Sequence, residues 1–169
     1  MLQINHLSVT HIRDLRPIVT DFSLVLQPGE KAAVIGEEGN GKSTLLKLIY
    51  DDSLVAGYAE WTGQILRGQN RLGYLPQELT PEEQAQTVQA YWSCRSPLSA
   101  PEEAALLKQL DLPEALATWD RPLSRLSGGE RIKLQLARLL TAQPDILLLD
   151  EPSNDLDLTA LEFLEHFLS

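Results

Sequence analysis

Apolar side chains recur at strand spacing along the first 35 residues. Leu2, Ile4 and Leu7 open the chain, and Phe22, Leu24 and Leu26 alternate with Ser23, Val25 and Gln27, a pattern that predicts strands. Pro28-Gly29 predicts a turn between strands. Ala32 to Ile35 are apolar on consecutive positions, as expected of a strand covered on both faces. Leu45, Leu46, Leu48 and Ile49 then follow at helical spacing. Trp61 to Leu75 contains strand-like pieces around Gln64-Ile65-Leu66 and Leu72-Gly73-Tyr74-Leu75. Beyond residue 80 the signals are helical. Thr80-Pro81-Glu82-Glu83 and Ser99-Ala100-Pro101-Glu102 both have capping-box spacing with a proline early in the first turn. Two or three short helices fit residues 80 to 119. A helix from about Gly129 to Thr141 is expected to bury Ile132, Leu136, Leu139 and Leu140. Pro144-Asp145 ends it before the run Ile146 to Leu149, which reads as another buried strand and stops on Asp150-Glu151. A last amphipathic helix carries Leu158, Leu161, Leu164 and Phe167 on one face.

Buried strand, glycine loop, helix and a later strand ending in carboxylates predict an α/β fold with a mostly parallel sheet flanked by helices. An N-terminal antiparallel β subdomain precedes it, and a helical insertion interrupts it. The expected division is a core of residues 1–79 and 127–169 with a helical subdomain over 80–126. Composition changes little in this picture but excludes some partners. The 169 residues, 43% of them hydrophobic, can bury one core. Fourteen Lys+Arg against 24 Asp+Glu give a net charge of −10, which disfavours non-specific attraction to nucleic acid or an anionic membrane surface. No direct DNA binding is expected. The single Cys94 has no internal disulfide partner, and the opening MLQINHLSVTHIRD lacks the apolar run of a leader or anchor. A cytoplasmic location is expected. Cys94 reads as a packing residue.

The candidate chemistry starts at GEEGNGKST, residues Gly36, Glu37, Glu38, Gly39, Asn40, Gly41, Lys42, Ser43 and Thr44. Gly36, Gly41, Lys42 and Ser43 match G-x-x-x-x-G-K-S/T in the strand–loop–helix setting that this pattern requires. Glycines expose backbone N–H groups to a polyphosphate at a helix N-terminus, where the dipole also favours anions. Lys42 would serve the β/γ-phosphates, Ser43 would ligate Mg2+, and Thr44 would reach the α-phosphate. The competing reading is a tight glycine turn that binds nothing. Asp150 and Glu151 cap the leucine-rich strand, where one carboxylate can hold the waters of Mg2+ and the other can accept a proton from an attacking water. Leu126-Ser127-Gly128-Gly129-Glu130 places a hydroxyl and two glycines before a helix, either as a second anion site or as a simple cap. Because the chain already has a phosphate loop, that second cluster suggests a second copy closing over the nucleotide. Gln77, after Gly73-Tyr74-Leu75-Pro76, would reach Mg2+ or the attacking water.

With these four elements in order, the chain resembles the nucleotide-binding domain of the ABC ATPase superfamily over essentially its whole length. GEEGNGKST is similar to Walker A, LPQE to the Q-loop, LSGGE to the signature and ILLLDEP to the Walker B strand. The resemblance implies a P-loop NTPase-type fold, ATP and Mg2+ as cofactors, and two domains sandwiching two ATP molecules head to tail. The second domain would come from a homodimer or a tandem half. In this reading Ser127 and Gly129 of one domain meet the γ-phosphate bound at Lys42 of the other, and Ser153-Asn154-Asp155-Leu156-Asp157 forms the D-loop. Asp150 is then the Mg2+ ligand and Glu151 the general base. Two departures stand out. The aromatic residue that stacks on adenine in this family has only His11 as a counterpart here, and a strand-end histidine is the competing reading. The switch histidine that follows the Walker B helix is absent, and His166 on the last helix reads as solvated. The stretch therefore reads as part of a longer protein, and full hydrolytic competence is not expected of it alone. DEPSNDLDLTALEFLEHF is similar to the D-loop region of ABC-F proteins, soluble paired ATPases that act on the ribosome. The space between Gln77 and Leu126 leaves little room for the long arm many of them insert. A transporter ATPase subunit docking membrane partners near Gln77, or a nucleotide-sensing module without turnover, are the alternatives.

Overall fold

The computed structural model describes residues 1–37, 39–93, 98–113, 119–152 and 156–168. The chain divides into two compact units, Met1–Tyr74 with Asp145–Asp150, and Leu75–Pro144 with Glu151–Ser169.

In the first unit, β1 (Leu2–His11) lies between β2 (Pro17–Leu26) and β3 (Ala59–Leu66), antiparallel to both. Leu2, Ile4, Leu7 and Val9 of β1 are all buried, although the step from Ile4 to Leu7 breaks strict alternation. A bulge resolves this. His6 has φ of 49° and Gly63, within the facing slip of β3, has φ of 97°, while Asp21 at φ 49° falls at the next slip along β2. Register shifts lie there between Ile4 and Leu7 against β2 and between Asn5 and Ser8 against β3, and two more follow against β2, between Leu7 and Val9 and between Val9 and Thr10. One extra residue re-aims every later side chain, which returns Leu7 and Val9 to the core. Gly63 is required at this point, because a Cβ would lie 2.5 Å from the carbonyl oxygen of His6. Helix α1 (Lys42–Tyr50) presents Leu45, Leu48 and Ile49 to the same cluster, with Val55, Ala59 and Leu148. Each large aliphatic side chain buried there contributes about 1.5–3 kcal/mol. Arg67 closes the helix by donating from Nε to Ile49 O at 2.6 Å and from a terminal nitrogen to Leu48 O at 2.8 Å, a cation on the carbonyls that an α-helix leaves unpaired at its C-terminus.

β4 (Leu72–Leu75) and β5 (Ile146–Leu149) form a separate two-stranded sheet. The carbonyl of Arg71 accepts from the N–H groups of Asp145 and Ile146, so the strands start side by side and run parallel. Among the described residues each has one neighbour, and they are less covered than the apolar run predicts: in β5 only Leu148 is buried. The larger correction concerns Ala32 to Ile35. These residues form no strand, and Ile35 is 93% exposed. An apolar run states a demand for burial, but a strand also needs a ladder partner. Among the described residues no ladder includes these four. The Pro28-Gly29 turn, with Gly29 at φ 81°, consequently leads from β2 into irregular chain rather than into another strand.

The second unit is helical. Thr80 and Ser99 head the capping boxes of α2 (Pro81–Ala85) and α4 (Ala100–Gln109), as their spacing predicts. Between them lies α3 (Val88–Trp92), and bonds from Val88 N to Arg121 O and from Leu123 N to Gln86 O hold the α2–α3 junction against residues 121–123. Helix α5 (Gly128–Thr141) is buried at every position from Ile132 to Ala137, the mark of a central helix. It lies in this unit, with the helices that precede it. Helix α6 (Leu158–Leu168) buries Ala160 and Leu164, whereas Leu158 and Phe167, expected on its covered face, are 72% and 48% exposed. Cys94 and the Ser153-Asn154-Asp155 part of the expected D-loop lie outside the described residues.

Candidate functional site

The glycine loop ends on Gly41, the N-cap of α1, whose φ of 80° is left-handed. No alanine fits: a Cβ there would sit 1.9 Å from Cγ2 of Ile18. Gly39, at φ 78°, supplies a second left-handed turn. Helix α1 begins without a side-chain cap and without an acid in its first turn. The positive end of its dipole thus carries no acid of its own in the first turn, the setting in which helix starts take anions. Lys42 folds back over the loop, with Nζ donating to Gly36 O at 2.9 Å and to Glu37 O at 3.0 Å. Asn40 N donates to Glu37 O at 3.3 Å. Thr44 is half-buried in the same first turn. Glu38 lies outside the described residues.

One turn into α1, Ser43 Oγ donates to Asp150 Oδ1 at 3.0 Å across 107 residues of sequence. Tyr74 on β4 donates from its hydroxyl to the other oxygen, Oδ2, also at 3.0 Å. Asp150 is 2% exposed. Both of its oxygens meet neutral hydroxyl donors, and among the described residues it has no ion-pair partner. A buried carboxylate without a cation is costly, and hydroxyl and carboxylate oxygens are the hard donors that Mg2+ takes. Among the described residues no group of three or more His, Cys, Asp or Glu forms a ready metal cage. Tyr74 is missing from the sequence-derived candidates. The available signal was a tyrosine within an apolar strand, since a half-buried phenol requires a hydroxyl partner. Burial and the nearby Asp150 carboxylate push its hydroxyl far above the usual tyrosine range, so it remains a donor.

Within the second unit, Gln77 and Glu151 come together, with Gln77 Nε2 donating to Glu151 Oε2 at 3.3 Å. Glu151 adopts a left-handed φ of 50°, uncommon for a residue with a side chain. Such strain collects at functional positions. Ser127 caps α5, accepting from Glu130 N at 3.2 Å, while the Glu130 carboxylate accepts from Ser127 N and Ser127 Oγ, both at 2.9 Å. The loop of Ser127, Gly128 and Gly129 is thus closed by a full capping box. Beside it is a cleft of about 190 Å³ lined by Gln77, Gln84, Gly128, Arg131 and Gln135 among others. Gln135 is 4% exposed, and its Oε1 has no hydrogen-bond partner among the described residues.

His11 ends β1 and bonds through Nδ1 to Asp14 Oδ1 at 2.8 Å, with the Tyr58 ring 6.4 Å away and tilted by 41°. Its ring is engaged locally. His166 is exposed on α6. No helix among the described residues is long and apolar enough to cross a membrane.

A lysine-bearing glycine loop at a helix start, with a buried strand-end carboxylate bonded to the following serine, defines a P-loop nucleotide-binding domain. The chain belongs to the ABC transporter family, whose sequence model matches residues 19–154, and it is an ABC ATP-binding domain. It is 32% identical to the ribosome protection protein VmlR of Bacillus subtilis, over 96% of this chain and 28% of that protein. It is 35% identical to the zinc import ATP-binding protein ZnuC of Cereibacter sphaeroides, over 93% of this chain and 61% of that protein. The chain therefore spans less than two thirds of either relative. A putative ABC transporter ATP-binding protein from Pyrococcus furiosus has the same fold, with a TM-score of 0.73 at 23% identity over 99% of this chain and 84% of that one. An α/β ABC ATPase fold with an antiparallel sheet, a parallel sheet and helices is thus as the sequence predicts.

Proposed function

We propose that the chain binds Mg-ATP at Gly36–Thr44 and hydrolyses it within a head-to-tail pair formed with a second ABC domain, supplied by a homodimer or a tandem half. The observation that carries this reading is the bond between Ser43 and the buried Asp150. Mg2+, when bound, supplies charge neutralisation on the phosphates. Ser43 and Asp150 would hold it, with Gln77 as a further ligand. Lys42 leaves the carbonyls of Gly36 and Glu37 for the phosphates, and the loop amides orient the chain of anions. Glu151 accepts the proton of the attacking water, and Gln77, already bonded to it, aligns that water. Ser127, Gly128 and Gly129 complete the site of the partner domain. His11 takes the adenine face.

Turnover of the complete protein tests this: Glu151→Gln is expected to keep ATP binding while lowering hydrolysis at least 100-fold. Similar rates in both forms would remove Glu151 from its role.

The work done with ATP is read as that of a soluble ABC-F-like factor acting on ribosomes. The Ser153-Asn154-Asp155 sequence and the similarity to VmlR over nearly the whole chain support it. A second reading, an ATP-binding subunit of a transporter, is favoured by the similarity to ZnuC and by the cleft beside Gln77, where Gln135 has an unsatisfied acceptor for a partner's donor. Affinity purification of the complete protein separates them. Ribosomal particles support the first, and an integral membrane protein the second.

A further inference from the structure

We propose that Tyr74 is a positioning residue for the Mg2+ part of the nucleotide site, acting through Asp150. The inference rests on the reading of Ser43 and Asp150 as the Mg2+-holding pair. A carboxylate has about four lone-pair directions on two oxygens. In this molecule each oxygen spends one of them on a hydroxyl, Oδ1 on Ser43 and Oδ2 on Tyr74. The proton of Ser43 thereby points at Asp150, and the hydroxyl's lone pairs point elsewhere, free for a cation. That orientation lasts only while the carboxylate cannot rotate about its Cβ–Cγ bond. Ser43 alone is a single tether, and the Tyr74 hydroxyl is the second.

The tyrosine is itself anchored at both ends. Its ring meets Tyr50 at a centroid distance of 5.5 Å, tilted by 33°. Tyr50 is the last residue of α1, and Ser43 lies in the first turn of the same helix. Tyr74 therefore touches the last residue of α1 through its ring and is linked through Asp150 to the residue in the first turn that would meet the ion. The ring sits on β4, next to the strand that Asp150 ends. Phenylalanine preserves the ring contact and removes only the tether.

The test is the affinity of the full chain for a fluorescent ATP analogue, measured with excess Mg2+ and again in EDTA, for wild type and Tyr74→Phe. The expected result is an unchanged affinity in EDTA and an affinity about tenfold weaker in Mg2+. Loss of affinity by the same factor in both conditions would mark a merely structural hydroxyl and overturn the proposal. So would equal affinities of the two proteins in Mg2+. A Tyr74→Phe chain found unfolded by circular dichroism would overturn it too, by making the hydroxyl a requirement of the core. Failure of the wild type to bind in either condition would instead remove the ATP reading itself, a distinct outcome.

Discussion

Helices α1 and α5 begin in opposite ways. Helix α1 starts on a left-handed glycine, with no side-chain cap and no first-turn acid. Helix α5 starts on Ser127, whose hydroxyl, backbone N–H and Glu130 partner satisfy one another. Helix α1 is preceded by Gly41 and carries Ser43 and Thr44 in its first turn, and α5 is preceded by Ser127 and opens on Gly128-Gly129, so as bare sequence both resemble anion sites. Among the described residues, α1 has neither a side-chain cap nor a first-turn acid, and it carries Lys42 at its start. At α5 the carboxylate of Glu130 already stands at the positive end of the dipole. A helix start invites an external anion when its own side chains do not supply one. Under the head-to-tail pairing proposed above, a phosphate at the α5 start would compete with Glu130, which would suit a contact made and broken with a partner domain.

The largest expected effect comes from closing the α1 start. Gly41→Ala puts a methyl group 1.9 Å from Ile18 and forces alanine to φ 80°, at a cost of roughly 1–3 kcal/mol for the backbone alone. ATP binding should disappear in a titration, and the thermal midpoint should fall by several degrees. Retained binding would show that the loop does not depend on this conformation. A smaller effect is expected from Lys133, which is 5% exposed on α5 and bonds from Nζ to Asp157 Oδ2 at 2.6 Å. Asp157 also accepts from Ala160 N at 3.0 Å at the start of α6. Lys133→Met should destabilise by about 1 kcal/mol, since the carboxylate is half-exposed and remains hydrated. Chemical denaturation would measure this. ATP affinity at α1 should be unaltered, and a matching loss of affinity would break the contrast between the two helices.

Much of this was legible before the fold was known. GEEGNGKST, the two capping boxes and LSGGE are local, and local spacing carries their geometry. Four things were not legible, each because it depends on a partner distant in sequence. Ala32 to Ile35 show the apolar demand of a strand but not whether a ladder neighbour exists. The skipped step between Ile4 and Leu7 shows a phase slip, but that Gly63 shares it is known only from the register of β3. Tyr74 shows a phenol within a strand, yet the carboxylate that takes its proton lies 76 residues away. The pairing of Gln77 with Glu151 likewise joins two positions whose sequence signals were independent.

The smallest effect sharpens the comparison through pH. Backbone donation from Ser127 N holds the Glu130 carboxyl below its ordinary value of 4.5, and Arg121, 3.3 Å away, adds to this. A carboxyl with a lowered folded-state pKa stabilises the fold fully above its unfolded value and loses that contribution as pH falls through the folded value. The box at α5 should therefore weaken on acidification below about 4.5, whereas the α1 start, with no first-turn acid, has no such term. Glu130→Gln preserves the hydrogen-bonding shape and removes the titration. Its thermal midpoint should lie slightly below that of the wild type at neutral pH and approach it near pH 3. Because the carboxylate is substantially exposed, the difference is expected to be small. A gap between the two proteins that widens toward pH 3 would show that the charge of Glu130 does not hold the α5 start together.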